Sequence, residues 1–350
     1  MVRNTGRFDP FPLVCSRKNR VKLSQKGEFG LIELIRKKCG KPNQRVVLGI
    51  GDDAAILKSK AGQLQILTTD ALIETIHFNL DYFTFFQLGW RALAANLSDI
   101  AAMGGKPVCA VVTLGLNDRI SVENVLELYD GMLALGRKVN CSIAGGDTVR
   151  SPKFLMISIS VLGEVEKGGV VTRSRAKIGD LICVTRQLGE AQAGLELFLE
   201  RRKRKGLGFS AELTQKHLLP FPRLAESEFL VKKFRLNSMI DISDGLASDL
   251  HHLCEKSKVG ALLYADKIPV SPKAIQAARI LGRDAFEFAL QGGEEYELLF
   301  TMGKKEAIKL LKSSKFKFTL IGEVISQKEG IWLLKSGRNL KLLPKGYTHF

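Results

Sequence analysis

Apolar positions along this chain recur with two periods, near 3.6 and near 2, and each change of period marks a new element. Apolar residues at 29, 31, 32, 34 and 35 predict an amphipathic helix over 28–38. Residues 46–48 and 64–67 read as short strands, each running into a polar or glycine-containing turn. Helices are predicted over 88–103, closed by Gly104-Gly105, and over 122–139, capped by Ser121. Strands are predicted over 108–116 and 154–162, with 142–144 leading into another glycine turn. The polar, glycine-rich stretch 166–180 is the best domain boundary. Beyond it, strands at 181–185, 238–240, 261–264, 298–301 and 318–323 alternate with helices at 190–204, 218–233, 246–256, 272–281 and 304–312. The fold class expected is α/β, of mixed α+β character, in both halves. The expected division is a tail over 1–26, an N-terminal domain over 27–165 and a C-terminal domain over 166–350.

A chain of 350 residues with 45% hydrophobic and 25% charged residues suits two globular domains. No apolar run is long enough to predict a membrane span. The net charge of +17 invites a nucleic-acid reading, but its location argues otherwise. Residues 1–26 hold seven Lys/Arg against Asp9, residues 201–205 are all basic, and 303–317 hold six Lys against Glu306. These segments carry nearly all the excess; 201–205 holds no aromatic residue and the other two hold only Phe8, Phe11 and Phe316, too few for a base-stacking surface, so they read as a disordered tail and solvated helix ends. The six cysteines form no CxxC pair and read as reduced thiols of a cytoplasmic protein.

The candidate chemistry lies in the near-neutral remainder. Apolar segments end on carboxylates at Gly51-Asp52-Asp53, Thr68-Thr69-Asp70, Gly145-Gly146-Asp147 and Asp241-Ile242-Ser243-Asp244. Hard cations such as Mg2+ take several oxygen ligands, and glycine beside a ligand allows a sharp turn and close approach of phosphate. One Asp/Gly turn is ordinarily structural; four of one construction predict a site for Mg2+ and ATP phosphates. Asp99, within Asn96-Leu97-Ser98-Asp99, interrupts a Leu/Ala helix face, and its small neighbours favour an internal ligand over a solvent-facing side chain. Gly49-Ile50-Gly51-Asp52-Asp53-Ala54 has the shape of a dinucleotide fingerprint, but its two carboxylates would repel a bare pyrophosphate. No P-loop or HExxH string is present. His77 reads equally as a core-edge residue or a substrate contact, and Arg173 equally as a linker residue or a phosphate contact.

Together these segments resemble the thiamine-monophosphate kinase family, of the superfamily containing aminoimidazole ribonucleotide synthetase and selenophosphate synthetase. The carrying strings are Gly27-Glu28-Phe29, GIGDDAA from Gly49, Thr69-Asp70-Ala71-Leu72-Ile73-Glu74 with His77-Phe78, and LAANLSDIAAMG from Leu93. They continue with AGGDT from Ala144, TRSRAKIGD from Thr172, DISDGLASDL from Asp241, GGEEYELLF from Gly292 and His349-Phe350. The resemblance implies transfer of the ATP γ-phosphoryl group to thiamine monophosphate, giving thiamine diphosphate. It implies Mg2+ ligands at Asp53, Thr68, Thr69, Asp70, Asp99, Asp147, Asp241 and Asp244, helped by Asp52. ATP contacts would fall at Tyr129, Gly146, Asp147, Arg173 and Ser243, and substrate contacts at His77, Glu294 and Tyr347. It further implies a homodimer joined through the N-terminal sheet. The acceptor phosphate is already nucleophilic, so neither a strong base nor a phospho-enzyme is expected. The pattern departs at Thr75, usually Gly and expected to narrow the substrate pocket, at Glu295, usually Asp, and at Glu190-Ala191, usually Asp-Ser. Rival readings are another ATP-using synthetase of the superfamily and a non-catalytic nucleotide- or polyanion-binding protein.

Overall fold

The computed structural model describes residues 30, 33, 46–59, 63–204, 206–313 and 315–347. The expected tail, most of the 28–38 helix, and the Gly27–Phe29 and His349-Phe350 strings lie outside them. Two sheets organise the rest.

The first contains β1 (Val46–Leu48), β2 (Ala55–Lys58), β3 (Gln63–Ile73), β4 (Lys106–Leu116), β5 (Ser142–Arg150) and β6 (Met156–Glu166). Its order is β1-β2-β3-β6-β4-β5, antiparallel except for the β4/β5 pair. Two helices, α1 (Phe85–Ala102) and α2 (Val122–Val139), cover one face. Each begins with a capping box, Thr84 with Gln87 and Ser121 with Asn124, which satisfies two otherwise orphaned N–H groups. The period-2 pattern divides β3 cleanly: Ile66, Thr68 and Leu72 are buried under α1, while Leu67, Thr69, Ala71 and Ile73 are exposed on the opposite face.

Two expected turns are strands. β3 runs through Thr68-Thr69-Asp70 to Ile73, and β5 runs through Gly145-Gly146-Asp147 to Arg150. The glycine at 146 serves sheet pairing and not a turn. A Cβ there would sit 1.9 Å from the Val112 carbonyl oxygen, so only glycine lets β5 approach β4.

The second sheet contains β7 (Leu181–Thr185), β8 (Leu236–Asp241), β9 (Val259–Tyr264), β10 (Leu298–Met302), β11 (Phe318–Ser326), β12 (Ile331–Lys335) and β13 (Arg338–Lys341). Its order is β13-β12-β9-β11-β7-β10-β8. The helices around it are α3 (Glu190–Lys203), α4 (Gln215–Leu218), α5 (Leu224–Lys233), α6 (Leu246–Ser257), α7 (Pro272–Leu281), α8 (Ala285–Gln291) and α9 (Lys304–Leu311). β10 is buried throughout because both its faces are covered. Leu299 packs with Ile240 and the Leu246–Leu250–Leu253 stripe of α6. Leu298 and Phe300 pack with Leu230 of α5 and Leu310 of α9. Ala101 and Ala102, at the end of α1, join this last cluster, and Ser227 donates to the Ala101 carbonyl at 2.6 Å. The first helix of one half is thereby built into the core of the other.

The helix expected over 218–233 is broken between α4 and α5. Pro220 and Pro222 lack N–H groups and push their preceding residues out of the helical region, so the long helix starts at Leu224.

Candidate active site

Three segments distant in sequence converge where α1 meets both sheets. Thr68 and Asp70 project from the helix-facing side of β3, Asp99 from α1, and Asp241 from the end of β8. Thr68 Oγ1 donates to Asp99 Oδ2 at 2.5 Å, and Ser98 Oγ donates to Asp241 Oδ2 at 2.6 Å. The Gly51-Asp52-Asp53 turn completes the group: carboxylate oxygens of Asp53, Asp99 and Asp241 all lie within 4.8 Å of one another. Arg173 donates through Nε to Asp53 Oδ2 at 3.0 Å and through its terminal nitrogen to Oδ1.

So many carboxylates held out of water resist ionisation. Burial pushes Asp99 well above the usual carboxylate range, with the charges of Asp70, Asp241 and Asp53 adding to the effect. Burial and the Asp53 charge raise Asp241 to about 8, and burial raises Asp70 to about 6. Asp52, buried beside Asp53, rises to about 7. Arg173 alone does not balance this set. Oxygen-only donors with unrelieved mutual repulsion fit a hard divalent cation, which would hold all of them ionised.

The loop Ile242–Gly245 and the segment 293–297 are joined by backbone hydrogen bonds. Glu294 N donates to Ser243 O at 2.7 Å, Tyr296 N to Ile242 O at 2.8 Å, and Ile242 N to Glu297 O at 2.7 Å. Tyr347 N donates to Asp244 O at 3.1 Å, which brings the C-terminal segment alongside. Glu294 and Tyr296 have positive φ, 61° and 49°, a conformation that costs non-glycine residues about 1–3 kcal/mol each. Their neighbours hold them there. Glu295 Oε1 accepts from Gly189 N and Ala191 N, both at 2.9 Å, capping α3. Glu297 accepts from Thr185 Oγ1 at 2.6 Å, Lys216 Nζ at 2.7 Å and Arg223 twice at 2.8 Å.

The three residues expected to meet substrate come together. The His77 and Tyr347 ring centroids are 6.3 Å apart, and Glu294 pairs with Arg91, whose guanidinium also donates to His77 O at 3.3 Å. Ser243 and Asp244 sit between this group and the carboxylate cluster along the chain. Four expected site residues stand apart. Thr69 faces the open side of the first sheet, its hydroxyl donating to Ile159 O at 3.1 Å. Gly146 and Asp147 lie on the exposed edge strand β5, and Asp147 shares a cross-strand row with Thr113 and Ser158. Tyr129 is half-buried on α2 against the N-terminal core.

The departures acquire physical content. Thr75 has φ 73°, the left-handed region that glycine adopts freely, and its side chain is exposed. Glu190 accepts from Ser271 Oγ at 2.6 Å, tying α3 to the start of α7.

Arg91, His217, Asp249, Glu297, Lys216 and Arg223 were not expected from the sequence. Asp249 is buried and accepts from Asp244 N and Gly245 N at 3.2 and 3.0 Å, shaping the loop that carries Asp244. Arg91 had a readable signal: a lone cation on an apolar helix face, seven and eight residues before Ser98 and Asp99.

Two family models match the chain, the AIR synthase related protein N-terminal domain over residues 51–165 and its C-terminal domain over 177–334. A thiamine-monophosphate kinase of Buchnera aphidicola is 35% identical over 328 residues, 92% of this chain and 98% of its own length. One from Aquifex aeolicus is 36% identical over 330 residues, 94% of this chain and 100% of its own. The solved structure of AaThiL complexed with AMPPCP and TMP superposes with a TM-score of 0.83 at 33% identity, covering 95% of this chain and 100% of that one. The chain therefore belongs to the thiamine-monophosphate kinase family, among the AIR synthase-related proteins.

Proposed function

We propose that this protein transfers the γ-phosphoryl group of ATP to the phosphate of thiamine monophosphate, producing thiamine diphosphate. The observation that carries the reading is the junction itself: a buried carboxylate cluster, built from both halves, runs through one loop into the Glu294–His77–Tyr347 group. The relatives' shared naming and the AMPPCP and TMP of the AaThiL complex support it.

Asp53, Asp70, Asp99, Asp241 and Asp244, with the Thr68 hydroxyl, would hold Mg2+. Bound there, the cation would neutralise the two polyanions and favour in-line attack. Arg173 sits beside the cluster and supplies a guanidinium suited to nucleotide phosphate, with Ser243 alongside on the Asp241–Asp244 loop. No residue of the chain needs to remove a proton, since a phosphate oxygen is the nucleophile, and none carries the phosphoryl group in transit. Thr69, Tyr129, Gly146 and Asp147 enter the metal and ATP assignments on family resemblance alone.

The division at residue 166, a homodimer and a cytoplasmic location belong to the same proposal. The face of the first sheet opposite α1 exposes Leu67, Val111 and Val149, an apolar surface suited to pairing with a second copy. Among the described residues no helix is long and apolar enough to cross a membrane. The test is incubation with thiamine monophosphate, ATP and Mg2+, scored for thiamine diphosphate and ADP. ADP without thiamine diphosphate would point to another acceptor, and ATP binding without turnover to a non-catalytic protein.

A further inference from the structure

α1 carries two sets of contacts on one face. Arg91, Ser98 and Asp99 are spaced i, i+7 and i+8, so they line up along one side of the helix. At one end, Ser98 and Asp99 engage Asp241 and Thr68 in the carboxylate cluster. Eight residues earlier, roughly 12 Å along the axis, Arg91 engages Glu294.

The surroundings of Arg91 are those of a fixed charge. Its side chain is 1% exposed, under the ring of Phe83. Nη1 donates to His217 O at 2.8 Å and lies 3.3 Å from His217 Nδ1, while Nη2 donates to His77 O and Glu294 Oε1. His217 is itself buried among Tyr82, Phe83 and Phe198. Burial and the Arg91 charge hold its imidazole neutral, so it does not replace the guanidinium as a counter-ion. Among the described residues, the buried Arg91 Nε and His217 Nε2 have no hydrogen-bond partner. A buried guanidinium with an unsatisfied N–H is costly for stability alone. The Glu294 side chain, by contrast, remains 28% exposed, so one carboxylate is anchored from behind and open in front.

We infer that Arg91 is a positioning residue for the substrate: it aims the Glu294 carboxylate and the His77 backbone at a cationic heteroaromatic ring. This deepens the proposed function and rests on it, the ring being the thiazolium of thiamine monophosphate. The guanidinium never touches the substrate. It fixes the rotamer of a glutamate whose backbone is already held at positive φ, and ties it to the ring pair His77–Tyr347. Because the same helix supplies Asp99, the spacing between the substrate's ring end and the metal end is set by one rigid element.

The test compares wild type, Arg91→Met, Arg91→Lys, Glu294→Gln and the Arg91→Met/Glu294→Gln double variant in steady-state kinetics with each substrate varied. Loss of one charge-assisted anchor should raise KM for thiamine monophosphate about 10-fold or more in Arg91→Met. KM for ATP and the Mg2+ activation curve should stay within about 2-fold, and kcat should fall less than KM rises. Arg91→Lys keeps the charge but not the fork, and should recover part of the loss. The double variant should be no worse than the poorer single variant, because both act on one contact. If Arg91→Met does not fold, Arg91→Lys carries the test with an expected rise of severalfold in the same KM. Unchanged KM for thiamine monophosphate, or equal losses toward both substrates, overturns the assignment while leaving the substrate reading intact. No thiamine diphosphate from wild type overturns the substrate reading, and the assignment with it.

Discussion

Replacing Glu297 by Gln changes no volume and removes one charge from the C-terminal core. The Glu297 side chain is completely buried and receives four hydrogen bonds, from Thr185, Lys216 and both faces of the Arg223 fork. Burial alone would raise its pKa, but the charges of Lys216 and Arg223 outweigh it and hold the carboxyl below its ordinary value. An amide satisfies part of this geometry and none of the charge, leaving the 10%-exposed Arg223 side chain without its main counter-ion. Breaking a buried pair from one side costs about 3–5 kcal/mol. With a urea m-value of about 2 kcal/mol/M, the C-terminal transition should move down by roughly 1.5–2.5 M. The sign with pH follows. A depressed folded-state pKa contributes stability above the unfolded value and loses it on acidification, so the variant should narrow its deficit at low pH. Replacing Glu297 and Arg223 together by Met should cost less than Glu297→Gln, since no unpaired charge remains. Urea titration followed by far-UV circular dichroism at pH 7 and pH 4 reads all of this. A Glu297→Gln transition within about 0.5 kcal/mol of wild type would refute the reasoning.

Thr75→Gly should stabilise the protein by about 1 kcal/mol, because it relieves a β-branched residue in the left-handed region; a lower melting temperature would contradict this. Asp99→Asn should reduce product formation by at least about 100-fold, or ~2.7 kcal/mol of barrier, with unchanged circular dichroism; near-full activity would remove Asp99 from the metal cluster. The raised carboxylates of Asp52, Asp70 and Asp241 bind protons more tightly when folded, so metal-free stability should fall as pH rises from about 4 to about 8. Mg2+ should reverse that loss and raise the melting temperature more at pH 8 than at pH 5.5; equal shifts at both would place the cation elsewhere. Gly146→Ala should open the β4/β5 pairing and destabilise the N-terminal half by more than about 2 kcal/mol, read by differential scanning calorimetry; an unshifted transition would mean β5 has room for a Cβ.

The mixed architecture was legible because each half mixes two periods, but two of the expected site carboxylates were assigned to turns that are strands, for a physical reason. Asp70 and Asp147 follow apolar runs exactly as turn residues do, and only cross-strand pairing reveals that their strands continue. Asp99 was readable because Asn, Ser and Asp on a Leu/Ala helix face conflict with helix propensity unless something polar receives them. Thr75 was readable only as a departure from a pattern; its backbone angle explains why that pattern holds glycine. Glu295 was visible only as a departure from the pattern, and Glu297 was not visible at all. Their roles depend on Gly189, Thr185, Lys216 and Arg223, distant residues that only the folded chain brings within hydrogen-bond reach. The same is true of His217, whose sequence neighbours give no hint of the Arg91 it backs.

In the proposed reaction one site, built on α1, joins a phosphoryl group from ATP directly to thiamine monophosphate. Reacting the protein with Mg2+, thiamine monophosphate and ATP carrying a stereochemically labelled γ-phosphorus tests it most directly. A single in-line transfer predicts label in the terminal phosphate of thiamine diphosphate with inverted configuration and no label on the protein. Retained configuration, or a labelled aspartate isolated during turnover, would contradict it.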